Sequence, residues 1–166
     1  MTLHRVLSTA ALGLSALVCG TAAQAETWAF SYTGTGITAS GTFTTLGAAL
    51  VAEDITSISG VRNGVAITGL VPLGADPDFS YDNKFSITAP NFTEGGVLFS
   101  LAGGGPNTNV YFFETGYFEV YIDGLGAVDT PISWSVTAVP EPATVLSMLA
   151  GLGLLGVYMR KARAGA

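Results

Sequence analysis

Phe112, Glu114, Tyr117, Glu119 and Tyr121 place two carboxylates among three aromatic rings within one short stretch, the densest chemistry in the chain. If Thr115-Gly116 forms a two-residue turn, Glu114 pairs with Tyr117 and Phe113 with Phe118. Those five residues then share one face of a hairpin, and Tyr111, Phe113, Phe118 and Val120 share the buried one. Rings beside acids on a flat sheet suit a sugar, because the rings cover its C–H faces while the carboxylates accept hydroxyl hydrogen bonds. Two carboxyls are also the minimum for glycoside hydrolysis, held about 5 to 5.5 Å apart for retention or roughly 6.5 to 9.5 Å for inversion. One hairpin supplies no evident cleft, so hydrolysis is the remoter reading of the pair. The plain alternative is the solvated face of a hairpin, or an inner sandwich face with the acids at its rim.

A second group of oxygens lies at Asp76, Asp78 and Asp82, in a proline-, glycine- and aspartate-rich loop over 71–83. They offer hard ligands for calcium, but the spacing lacks the glycine and final glutamate of an EF-hand, and acidic turn residues commonly cap local amides instead. The only histidine, His4, and the only cysteine, Cys19, both precede residue 26. Segment 26–139 therefore excludes disulfides, Cys/His zinc sites, Cys-His nucleophiles and Ser-His-Asp triads, and no cofactor is expected. It carries two cations, Arg62 and Lys84, against eleven acids. A net charge near minus nine repels nucleic acid and leaves neutral glycans and divalent cations as candidate ligands.

The elements that must position these residues read as β throughout. Trp28, Phe30 and Tyr32 alternate with small polar residues, the period of a strand with one aromatic face. Trp28 and Trp134 are expected in the core. Asn63-Gly64 marks a type I′ hairpin, since both residues accept positive φ. Gly103 to Asn107 breaks the chain before another strand, and without a following Lys-Ser/Thr it is not a phosphate loop. About nine short antiparallel strands predict an all-β domain over 26–139, a β-sandwich or jelly-roll-like fold.

The ends carry an address. Met1 to Ala25 reads as a secretory signal peptide: Arg5 is the positive n-region, Val6 to Val18 the apolar stretch, and Ala23-Gln24-Ala25 the small-residue cleavage site. Ala16-Leu17-Val18 ahead of Cys19 is a poor lipobox, so the cysteine is read as part of a discarded segment. At the other end, Pro140, Glu141 and Pro142 form an extended boundary, because two prolines remove backbone donors and fix φ. Ala143 to Met159 then holds no charge, enough for about 25 Å of helix, a short membrane span. Arg160, Lys161 and Arg163 follow as an orienting basic cluster that stays on the cytoplasmic side.

Val139-Pro140-Glu141-Pro142-Ala143-Thr144, a Gly/Leu-rich span and a terminal basic cluster together resemble the PEP-CTERM sorting signal. The resemblance implies a bacterial exported protein recognised by an exosortase, a membrane-embedded cysteine transpeptidase, and delivered to the surface of exopolysaccharide-producing cells with a Gram-negative-type envelope. The body is similar, more loosely, to a recurrent PEP-CTERM ectodomain. The likeness lies in Asp54-Ile55-Thr56-Ser57-Ile58-Ser59-Gly60, in Asn63-Gly64 with Ile67-Thr68-Gly69-Leu70, in Asp82-Asn83 and in Val110-Tyr111-Phe112-Phe113. The resulting expectation is a non-enzymatic surface or matrix protein. Its partners would be the general secretion machinery, an exosortase, the membrane through a C-terminal helix and an exopolysaccharide.

Overall fold

A computed structural model describes residues 25–123, 126–140, 149–153 and 160. Nine strands follow one another: β1 (Glu26–Gly34), β2 (Ile37–Thr45), β3 (Glu53–Arg62), β4 (Val65–Leu70), β5 (Lys84–Phe85), β6 (Val97–Leu101), β7 (Thr108–Phe113), β8 (Gly116–Asp123) and β9 (Gly126–Ala138). The expected strands are all present, yet they do not make a sandwich. The hydrogen-bonded order runs β2-β1-β9-β8-β7-β6-β4-β3, and β2 also pairs with β3. Every pairing in this ring is antiparallel, so eight strands close into a barrel, with the two-residue β5 attached outside it to the start of β3. The sandwich expectation fails because alternating strands look the same in either architecture. Closure depends on β1 meeting β9 across the whole length of the chain, which satisfies the edges a sandwich would leave open.

The inner face is aromatic for the reason legible in β1: Trp28, Phe30 and Tyr32 all point inward and are buried. Phe30 stacks on Trp134 at 5.5 Å, Phe92 meets Trp134 edge-on at 4.7 Å, and Phe85 packs against both Phe43 (4.8 Å) and Trp28 (5.0 Å). Trp28 Nε1 donates to Thr45 Oγ1 at 3.0 Å, which satisfies its one polar atom inside the core. β2 and β3 approach very closely where Gly41 faces Gly60, since a Cβ built on Gly41 would lie 2.0 Å from the Ser59 carbonyl oxygen.

The two ends of the barrel differ. At the lower end, where β1 begins and β9 finishes, Ala49, Phe85 and Phe92 are buried in the core cluster and plug the opening. Ile87 N donates to the Ala49 carbonyl at 2.8 Å, tying together the two segments that form this plug. The upper end carries the β1–β2 and β3–β4 turns and the loop from β6 to β7, and among the described residues a mouth opens there.

Asn63 and Gly64 have φ of 49° and 79°, the positive-φ pair of the expected hairpin. The β7–β8 turn is displaced by one residue from expectation. Phe113 pairs with Gly116, so Glu114 and Thr115 occupy the turn, and Glu114 takes φ 52°. The anticipated signal-peptide helix lies in residues 1–24, outside the described residues. Among the described residues no helix is long and apolar enough to cross a membrane, so the expected C-terminal span is not shown. Helical backbone is described only at 149–153 and 160, and the rest of the expected span lies outside the described residues.

Candidate functional site

The β7–β8 face singled out by its acids and rings is the inside of the barrel. Val110 pairs with Glu119, Phe112 with Tyr117 and Thr108 with Tyr121, so these six share one side of the sheet. The grouping of Phe112, Tyr117, Glu119 and Tyr121 therefore stands, but they face the core and do not form an open glycan platform. Barrel closure decides this, since it turns inward the face whose neighbours are Trp28, Phe30 and Tyr32. Phe112 and Tyr117 pack on the aromatic core, and Glu119 has no exposed surface. Tyr111, Phe113 and Phe118 lie outside, where Tyr111 stacks on Phe118 at 5.8 Å. Glu114 leaves the group for the exposed turn at the lower end, so the two glutamates are not brought together.

A buried carboxylate requires compensation, and Glu119 receives it from two distant strands. Tyr32 of β1 donates its hydroxyl to Oε2 at 2.6 Å. Arg62, at the end of β3, donates Nε to Oε2 at 2.9 Å and Nη2 to Oε1 at 2.5 Å, a two-pronged ion pair. The guanidinium also lies over the Tyr121 ring, 5.5 Å from its centroid. Burial first, and then the adjacent Glu119 charge, push the Tyr32 phenol far above its ordinary range, so it stays a hydrogen-bond donor. The hydrogen bond to Glu119 raises Arg62 in turn.

This cluster lies beneath the mouth. A cleft of about 430 Å³ opens there between Thr35, Ile37, Arg62, Leu101, Tyr121 and Val128, with Thr108 and Thr130 among its other walls. Its floor is a neutralised cation with threonine hydroxyls and aliphatic side chains around it. That lining can hydrogen-bond and pack against a neutral polar group, while the charge of Arg62 is already spent on Glu119. Sequence reading missed Arg62, because its partner is 57 positions away. The available signal was a glutamate at an inward position of an aromatic strand face, which calls for a cation, and only two cations were on offer.

The loop aspartates are used locally. Asp76 Oδ1 accepts from the Asp78 amide at 3.1 Å, and its Oδ2 accepts from Asn107 Nδ2 at 2.7 Å. Asp82 accepts from the Lys84 amide and from Thr93 Oγ1, at 3.2 and 2.8 Å. Among the described residues no three His, Cys, Asp or Glu side chains gather as metal ligands, so Asp76, Asp78 and Asp82 are not brought together as a set.

The address residues are placed more simply. Ala25 is exposed and directly precedes β1, whereas Ala23 lies outside the described residues. The Val139 amide donates to the Thr27 carbonyl at 2.8 Å, the last tie between β9 and the barrel, and Pro140 follows exposed. Arg160 is exposed, while Glu141, Pro142, Lys161 and Arg163 lie outside the described residues. A family model described as the PEP-CTERM protein-sorting motif matches residues 138–164. The chain carries a PEP-CTERM protein-sorting motif. The PEP-CTERM motif begins at the final residue of β9, so the barrel ends where the sorting signal starts. It implies export, processing by an exosortase and sorting to the cell surface. No curated protein and no solved structure matched the chain.

Proposed function

We propose that this chain is a non-enzymatic surface or matrix protein of a bacterium with a Gram-negative-type envelope. The general secretion machinery exports it, an exosortase processes it at the Pro140-Glu141-Pro142 boundary, and the barrel then resides in the exopolysaccharide matrix. The observation that carries this reading is the abutment of barrel and signal: the motif starts at residue 138, where β9 ends. Cleavage just beyond it would release a barrel whose strands are all already paired. Two features support a role without catalysis. Segment 26–139 has no histidine or cysteine, and its buried glutamate is committed to Arg62 and Tyr32. A closed barrel also suits an exposed life in a polymer matrix, because it offers few unpaired strand edges to aggregate.

The intact mass of the protein recovered from its host's surface and medium tests this, alongside a Pro140→Ala, Pro142→Ala variant. The expected product lacks the first 25 residues and everything beyond the Pro-Glu-Pro boundary, and the variant is not trimmed at its C-terminus. A wild-type mass that still includes Arg163, unchanged by the substitutions, overturns the reading.

A further inference from the structure

Large aliphatic side chains gather, exposed, at the lower end of the barrel. In the loop from β2 to β3, Ala49 turns inward at φ 51° and is buried, its carbonyl held by the Ile87 amide. The residues around it point the other way: Leu50 is 75% exposed, Val51 68% and Leu46 54%, and Ile87 across the bond is 46% exposed. A plug that buries its alanine and shows two leucines, a valine and an isoleucine to the outside inverts the usual order of burial. Such a patch marks a contact surface.

The chain leaves the barrel beside this patch. The Val139 amide bonds to the Thr27 carbonyl, and Glu26 pairs with Thr45, the residue before Leu46. Two strand spacings of about 4.8 Å put Leu46 roughly 10 Å from Val139. The uncharged stretch 143–159 starts four residues after Val139, so its first residue lies within about 14 Å of it even at full extension. A bilayer that takes in this stretch has its headgroup layer, about 5 to 7 Å deep, against the lower rim. The described part of the tail does not cover the patch, since Leu149 and Leu152, in the helical stretch 149–153, are exposed as well. Glu26 and Glu53 border the patch, and Lys84 is paired with Asp54. The rim therefore suits a zwitterionic lipid surface and not an anionic one.

We propose that the lower rim, formed by Leu46, Leu50, Val51 and Ile87, is a lipid-docking surface that seats the barrel on a zwitterionic bilayer while the tail is uncut. This rests on the export and processing reading above and describes its membrane stage. Four aliphatic side chains alone bind lipid weakly, but a tether of a few residues gives them a high effective concentration at the surface. Docking holds the Pro140-Glu141-Pro142 boundary at the headgroup layer, within reach of a membrane-embedded enzyme, and turns the mouth away from the bilayer. Cutting the tether ends the docking and frees the barrel.

The full chain with Cys19→Ser, reconstituted with phosphatidylcholine vesicles, tests this through an environment-sensitive dye. The dye is attached through Leu50→Cys or, at the upper end, through Val65→Cys, both at exposed positions. A nitroxide at the lipid headgroups should quench the dye at 50 and not at 65. Adding Leu46→Glu and Val51→Glu should reduce quenching at 50 to the level at 65 while the chain still floats with the vesicles. Equal quenching at the two positions in a floating chain overturns the docking and leaves the sorting reading standing. Quenching at 50 that survives the two glutamates reduces it to tether proximity and also overturns the proposal. A chain that does not float overturns the docking together with the membrane stage of processing. A dye at 50 that is shielded without lipid, in particles of twice the chain's mass, assigns the rim to a second copy of the chain instead.

Discussion

Removing Arg62 should destabilise the barrel far more than neutralising Glu119, although the two form one ion pair. Glu119 has no exposed surface, whereas 14% of the Arg62 side chain remains accessible at the mouth. Arg62→Ala strands a carboxylate inside the core with only the Tyr32 hydroxyl for support. Losing one partner of a buried pair in this way costs about 3 to 5 kcal/mol. Glu119→Gln keeps an oxygen for Tyr32 and Arg62 Nε, turns an amide NH2 toward Arg62 Nη2, and leaves the charge on the residue that water can reach. That change forfeits the strength of charge-assisted bonds, about 1 to 2 kcal/mol. Replacing the whole cluster, Tyr32→Phe with Arg62→Met and Glu119→Leu, removes every polar group together. It should fall within about 2 kcal/mol of the wild type, because apolar substitutes of similar size suffer no desolvation penalty. Urea unfolding followed by the fluorescence of the core residues Trp28 and Trp134 measures all three. At about 4 °C per kcal/mol for a domain of this size, Arg62→Ala also lowers Tm by roughly 12 to 20 °C. A cost for Glu119→Gln equal to or above that of Arg62→Ala would refute the reasoning, since burial would then not govern which charge needs its partner.

Two further outcomes follow from particular contacts. Gly41→Ala should cost at least about 2 kcal/mol, because its Cβ would meet the Ser59 carbonyl at 2.0 Å and the Gly60 Cα at 2.7 Å, both backbone atoms that cannot step aside. A urea midpoint equal to that of the wild type would contradict the close approach of β2 and β3. Alkali should unfold the protein through its phenols. Burial, and then the bond to Asp129, push Tyr111 up to about 12 from an ordinary 10.0, and Tyr32 is raised further still. A phenol that holds its proton more tightly when folded contributes stability that is complete below pH about 10 and is lost as pH climbs through about 12. The urea midpoint should therefore fall across that window, and Tyr111→Phe should flatten part of the fall. An unchanged slope in that variant would remove Tyr111 from the account.

The sequence by itself determined the strands and the address. Period-two alternation reports which residues of a strand share a side, so Trp28, Phe30 and Tyr32 could be grouped, as could Phe112, Tyr117, Glu119 and Tyr121. Asn63-Gly64 fixed its turn because its backbone preference is local. Glu114-Thr115 has no such preference, and the pairing of Phe113 with Gly116 drew glutamate into positive φ. The PEP-CTERM signal was legible because its parts are adjacent in the chain, and the matched motif at 138–164 agrees with that reading. Alternation does not say which side is inside. That was decided by the pairing of β1 with β9, which closes the sheet and turns the acid-bearing face into the core. The closure then set Arg62 and Tyr32 against Glu119. Such contacts join residues tens of positions apart, and only the tertiary structure brings them within bonding distance.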